Sequence, residues 1–384
     1  MKVAVTGLRG MPNIMGGIES HCEELYPRML KWDPSLSVEC FGRRPYMKSS
    51  KAFEYEGVRV TPLPSIRLVS VEAIYSTFLA VLYAGCVSRP DVLHIHGIGP
   101  ALLTPLARLL GLKVVVTHHG RDYRRAKWGP FAKTLLKVGE QLALRFSNTV
   151  IAVSQTLAAE ICAEKPGVAG KVVFIPNGVS TLPPPAKGAD DPLTTWRLEP
   201  GRYILTVGRL VPEKGFQDLI ASHGASGAGY KLVIAGAADH ESPFARKLLA
   251  QASDQVIFTG MLERSKLAEL YSNAALFVLP SHHEGLPIAA LEAASFATPM
   301  LLSDISANLD LGLPAGNYFP VGDLQQLAAC LAEPPQAYEI DAPAIRERFD
   351  WAVVARQTAS VFTAVKAGPD ARQGVAGRQA PQQP

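Results

Sequence analysis

An α/β chain of two doubly wound, Rossmann-like domains facing across a cleft is predicted by three observations. Short runs rich in Val, Ile and Leu alternate with helical patterns along the chain, as parallel strands buried on both faces and their crossover helices require. At 384 residues the chain exceeds the usual size of one hydrophobic core. Near its middle, TLPPPAKGADDP (181–192) has the Pro, Gly and Asp content of a linker.

The first domain, 1–180, opens on the apolar run Lys2–Thr6. Further strands are expected at Ser37–Phe41, Val58–Pro62, Val92–His96, Lys113–Thr117, Thr149–Val153 and Val172–Ile175, each too short for a helix and bounded by polar or turn residues. Val71–Val87 is mostly apolar, yet it carries Glu72 and is shorter than the ~20 residues of a membrane span, so a buried helix under the sheet is expected. The second domain, 193–350, repeats the alternation with Tyr203–Val207, Lys231–Ala235, Gln255–Phe258, Ala275–Leu279, Pro299–Leu302 and Tyr318–Phe319. A last helical pattern covers 351–366. From 367 to 384 apolar periodicity is lost and disorder is expected.

Hydrophobic residues make up 48% and charged residues 19%, the composition of a soluble α/β protein. Five scattered cysteines, odd in number and without C-x-x-C spacing, argue against a disulfide framework or structural zinc and for a reducing compartment. The opening MKVAVTG reads as a strand and not as a signal peptide, so a cytoplasmic location is expected. Lys and Arg exceed Asp and Glu by 22 to 13 over 1–180 and fall short by 16 to 21 over 181–384, giving +9 and −5. The basic first half suits an anionic membrane surface or a polyanionic acceptor. Nucleic acid is not expected as a partner, because no binding motif is present and the basic residues are not interleaved with stacking aromatics.

Two segments of the second domain carry the chemistry. In FVLPSHHEGLPIAALEA (277–293) a strand is followed by a helical pattern, placing Glu284 in the crevice between them and Glu292, eight positions on, about two helical turns along the same face. Amides at a helix start suit an anion, and two carboxylates suit sugar or ribose hydroxyls. In YILTVGRLVPEKGFQDLI (203–220) Arg209 leaves the carboxyl end of its strand and Lys214 leads the next helix, so both charges can converge on a diphosphate. In the first domain, GLRGMPNIMGG follows the opening strand, and its glycines permit a ligand's close approach at a helix start. Its spacing does not fit the dinucleotide fingerprint G-x-G-x-x-G. His118 and His119 end another strand, and His96 ends its neighbour. A histidine there can hydrogen-bond a sugar hydroxyl or donate toward developing charge.

GRLVPEKG followed by PSHHEGLPIAALEA resembles the donor-binding half of the retaining GT-B glycosyltransferases of family 4, the glycosyl transferases group 1. MGGIE (15–19), DVLHIHG (91–97), VVVTHHGRD (114–122), VIAVSQTLA (150–158) and FIPNGV (174–179) extend the resemblance over roughly 1–365. It implies a GT-B fold with the 351–366 helix crossing back to the first domain, and a nucleotide diphosphate sugar as donor. Donor-binding positions carried over are Gly16, Gly17, Arg209, Lys214, Glu284, Gly285, Leu286 and Glu292, with Glu292 on the ribose and Glu284 on the sugar. The pattern T-x-H-x-x-D aligns His119 with the active-site histidine, so the catalytic set expected is His119, Glu284, Arg209 and Lys214. For His118 a packed or solvent-facing role is expected.

Acceptor-side candidates are His96, Asp122 and Arg121. Arg121 belongs to a basic and aromatic patch with Tyr123, Arg124, Arg125, Lys127 and Trp128 that suits a glycan or lipid-linked acceptor at a membrane surface. No Asp-x-Asp motif is present, so no metal and no other cofactor is expected. An epimerase or hydrolase of sugar nucleotides, or a non-catalytic nucleotide-sugar binding protein, would share the donor pocket.

Overall fold

The structure is a computed structural model that describes residues 1–14, 16–66, 71–124, 128–179, 191–238 and 242–368. It separates into two compact units, Met1–Asn177 with the segment from Trp351 onward, and Gly178–Asp350. The expected linker lies outside the described residues except at its end, where Asp191 accepts from Leu193 N and caps the short helix Pro192–Thr195. The expected disordered tail lies outside them from 369 onward.

The first unit holds strands β1 (Lys2–Thr6), β2 (Ser37–Arg43), β3 (Phe53–Tyr55), β4 (Val58–Leu63), β5 (Val92–His96), β6 (Val114–His118), β7 (Thr149–Ala152) and β8 (Val172–Phe174), in the order β3-β4-β2-β1-β5-β6-β7-β8. All neighbours pair in parallel except β3 and β4. Val3, Ala4 and Val5 of the central β1 are fully buried because layers cover both faces. Helix Trp351–Ala367 belongs to this unit, packing against helix Gly17–Trp32 and adding Trp351, Val354, Phe362 and Val365 to the core around Leu25, Tyr26 and Met29. Its end is tied to the sheet by Lys366 Nζ on Asp91 (3.0 Å) and by Lys113 Nζ on the Lys366 carbonyl (2.5 Å).

The second unit holds β9 (Tyr203–Val207), β10 (Lys231–Ala235), β11 (Val256–Gly260), β12 (Leu276–Leu279), β13 (Met300–Ser303) and β14 (Tyr318–Phe319), ordered β11-β10-β9-β12-β13-β14 and parallel throughout. In both units the chain builds outward from its first strand, then reverses. The reversals fall between β1 and β5 and between β9 and β12, and ligands of doubly wound sheets bind beside the strand ends at such points.

Strand positions agree with expectation to within two residues, apart from β3. Its hairpin with β4 turns on Glu56 and Gly57, both with positive φ (46° and 83°), the geometry of a tight two-residue turn. Glu-Gly is a weaker form of the Asn-Gly signal, and the three-residue strand was too short to stand out. The expected Val71–Val87 helix is two pieces, an α-helix Glu72–Tyr83 and a wider turn Ala84–Ser88. Ala80, Val81 and Ala84 pack into the sheet core, whereas Val71, Phe78 and Val87 are exposed. Among the described residues no helix is long and apolar enough to cross a membrane.

Candidate functional site

The loops after β9 and β12 meet at the second unit's reversal point. Lys214 closes a single 3-10 turn, Pro212–Lys214, and its Nζ lies 2.5 Å from Glu284 Oε1, which also accepts from Ser281 Oγ at 2.7 Å. Two further bonds lock the loops together: His282 N donates to the Glu213 carbonyl (2.9 Å), and the His282 ring contacts Asp218 Oδ2 (2.6 Å). Gly215, at φ 67°, allows this approach, since a Cβ there would collide with the Pro280 carbonyl. Arg209 lies two residues beyond β9 and is half-buried. Gly208 beside it packs against the Lys214 stem, whose Cε would be 3.2 Å from an added Cβ.

Glu284 is not on the following helix, which spans Ile288–Ser295 and starts after Pro287. The expected two-turn register between Glu284 and Glu292 is therefore corrected: Gly285, Leu286 and Pro287 form a connecting segment, and Glu292 alone is helical. Pro287 supplies no side-chain cap to this helix. Glu292 Oε2 accepts from the fully buried Tyr271 hydroxyl at 3.1 Å. Burial pushes the Tyr271 phenol well up, which keeps it a donor. Sequence reasoning missed Tyr271, whose helical spacing gave no sign of a carboxylate 21 residues away.

In the first unit, Gly16 precedes helix Gly17–Trp32 with φ 152°. A Cβ on Gly16 would strike the Glu19 and Arg9 side chains, while one on Gly17 would meet nothing within 4 Å. Gly7 lets the same loop pass the end of β5, since a Cβ there would run into the His96 carbonyl. His119 follows β6 and is half-buried, with Nε2 2.9 Å from His96 Nδ1. Behind it a hydrogen-bonded chain runs into the core: His96 Nε2 to Tyr26 Oη (2.6 Å), Tyr26 Oη to His94 Nδ1 (2.8 Å), His94 Nε2 to Thr117 Oγ1 (2.7 Å). His21 stands edge-on to His119, with its Nδ1 2.8 Å from Asn177 Oδ1. Burial lowers the His21 pKa to about 4, the Asn177 bond opposing it, and drives His94 and His96 well down, so these rings are neutral. The alternation of His94 and His96 along β5, which puts both on one face, is the signal that could have found His94. The partners His21, Tyr26 and Asn177 carried no sequence signal.

Two acceptor-side expectations are corrected. His96 is fully buried with both ring nitrogens engaged, so it backs His119 and presents nothing to an acceptor. Arg121 is buried and held bidentately by Glu164 (2.7 and 2.6 Å), with Glu160 at 3.2 Å and Glu140 at 3.4 Å. Its charge is spent within the fold. His118, expected to be packed, is fully buried with Nε2 2.9 Å from Glu140. Asp122 opens the turn Asp122–Arg124 and is half-buried. Arg125 and Lys127 lie outside the described residues.

Residues 196–329 match the family described as Glycosyl transferases group 1, and residues 15–181 match Glycosyltransferase Family 4. Alpha-maltose-1-phosphate synthase of Mycobacterium tuberculosis is 30% identical, an alignment covering 95% of this chain and 100% of that protein. Among solved structures, sucrose-phosphate synthase of Thermosynechococcus elongatus superposes with a TM-score of 0.79 at 21% identity, covering 95% of this chain and 99% of that one. Anabaena HepE in complex with UDP and glucose gives 0.74 at 18%, covering 94% and 99%.

Proposed function

Because the chain belongs to the group 1, family 4 glycosyltransferases of GT-B fold, we propose that it moves a glycosyl group from a nucleotide diphosphate sugar to an acceptor hydroxyl, retaining the anomeric configuration without a metal. The observation that carries this reading is the pairing of Lys214 with Glu284 at the β9/β12 reversal. A cation beside the strand ends at such a reversal suits a diphosphate, and carboxylates beside it suit hydroxyls. The nucleotide diphosphate class is further supported by HepE, which is described with UDP.

In the proposed reaction the bond from the anomeric carbon to the diphosphate oxygen breaks, and the acceptor oxygen bonds that carbon on the same face. The acceptor proton passes to the departing diphosphate. Arg209 and Lys214 stabilise the developing negative charge, and Gly17 and Leu286 keep the donor-binding roles that the family resemblance implies. Glu292 holds the ribose and Glu284 and Gly285 the donor sugar, while Gly16 and His119 keep the donor-side roles that the family resemblance implies. Asp122 is left as the acceptor-side residue.

A thermal-shift panel of UDP, GDP, dTDP, ADP and their common sugars, run with EDTA and with Mg²⁺, tests the donor assignment. A ligand at 100 times its dissociation constant stabilises by about 2.7 kcal/mol, enough to move a midpoint by several degrees. One base should stabilise equally with or without metal, and Glu292→Gln should lose most of that shift. A shift that appears only with Mg²⁺, or survives intact in the variant, removes the corresponding part of the reading.

The acceptor is proposed to be a growing cell-surface polysaccharide or lipid-linked glycan met at the inner face of the membrane. The net +9 of residues 1–180 supports this, as does helix Pro130–Phe146, which exposes Phe131 (78%), Lys137, Val138 and Arg145. Cosedimentation with anionic vesicles should occur at low salt and fall steeply as salt rises. Equal binding to neutral vesicles, or none, would discard the membrane assignment.

A further inference from the structure

We propose that His21, His96 and His119 form a binding site for a divalent transition metal of the zinc class. One ring nitrogen from each lies within 4.8 Å of the other two. The ring centroids are 5.4 Å (His21–His96), 5.0 Å (His21–His119) and 5.2 Å (His96–His119) apart. Three imidazoles on one tetrahedral zinc, with Zn–N near 2.05 Å, would place their centroids about 5.2 Å apart and their donor atoms about 3.3 Å apart. The rings already stand at the first spacing; His96 Nδ1 and His119 Nε2, 2.9 Å apart, would part slightly, and the His21 nitrogen, within 4.8 Å of both, would settle at about 3.3 Å from each.

The partners behind the rings orient their lone pairs in the way metal sites require. Asn177 Oδ1 can only accept, so His21 carries its proton on Nδ1 and keeps Nε2 as its ligand atom. His96 can place its proton on Nε2 and donate to Tyr26, because Tyr26 can pass its own hydrogen to His94 Nδ1 and His94 can donate from Nε2 to Thr117. That arrangement frees His96 Nδ1. His119 then holds its proton on Nδ1 and offers Nε2. The rings supply three nitrogens without net proton release, the ligand set of a zinc site that takes water as its fourth ligand.

Metal on His119 Nε2 would withdraw that ring from the donor sugar, so occupancy inhibits transfer. This consequence, unlike the site itself, rests on the role proposed for His119. The metal-independent reaction and an inhibitory metal site are compatible, since the metal takes no part in the chemistry.

The test is a titration of the metal-stripped full chain with Co²⁺, whose visible absorption reports tetrahedral nitrogen ligation, followed by displacement with Zn²⁺. One Co²⁺ per chain is expected. Binding should weaken at least tenfold in His21→Gln, and by 10- to 100-fold in Asn177→Ala, which keeps all three ligands and loses only the orienting bond. Melting curves without metal establish that each variant is folded, and Asn177→Ala carries the test should His21→Gln not fold. No visible band in the wild type, or equal binding by wild type and variants, overturns the site. Zn²⁺ inhibition that persists unchanged in the variants also overturns it. A Co²⁺ spectrum lost in the variants, with transfer unaffected by Zn²⁺, upholds the metal site and removes the assignment of His119 to the sugar.

Discussion

Replacing Lys214 with Ala is expected to lower kcat by about 10²- to 10³-fold, the range found when one preorganised donor to a developing negative charge is removed. In the proposed reaction the charge arises on the diphosphate as its bond to the sugar breaks, and Lys214 stands at the strand reversal where that group would sit. The ammonium is already positioned by Glu284 at 2.5 Å and by packing against Gly208, so little reorganisation opposes its action. Lys214→Arg should recover only part of the loss, because a planar fork does not fit a position shaped around a point charge. Rates measured with the donor that stabilises the protein decide the matter. A kcat within threefold of wild type in Lys214→Ala would remove Lys214 from the catalytic set.

Acid should unfold the first unit before the second. His21, His94 and His96 are buried and neutral, with pKa values depressed by desolvation, and for His94 and His96 also by neighbouring histidines. In the unfolded chain each would titrate near 6.5. Below that pH the unfolded chain binds more protons, so stability is full above about 6.5 and falls as pH drops toward the folded values. For His21 alone, whose pKa lies at about 4, the loss across that window is about 3 kcal/mol. His94 and His96 act in the same direction. Urea melts at pH 7 and pH 4.5, read through first-unit Trp351, should show the loss. The second unit contains none of these residues, and its own transition, followed by hydrogen exchange in β9 and β12, should move much less. Equal losses in both units would exclude the buried histidines as the cause.

The vocabulary of this protein was written locally. Among the described residues apolar runs marked thirteen of the fourteen strands, because a parallel strand buried on both faces must be nearly all hydrophobic. The motifs GRLVPEKG and HEGLPIAALE marked two loops at strand ends, since glycine, proline and charge are what such loops need. What the sequence by itself determined is this local content: which segments are strands and helices, and which loops bear chemistry. Only the tertiary structure decided which residues meet. Lys214 and Glu284 are 70 positions apart, and His21 and Asn177 are 156 apart. Arg121, which reads as an acceptor-facing cation, is neutralised by Glu164 of helix Gln155–Glu164, and His96 sits behind His119 because β5 and β6 are neighbours. Periodicity and turn chemistry depend on residues a few positions apart. Pairings of this kind depend on strand order and on the burial it imposes, which are set by the packing of the whole unit.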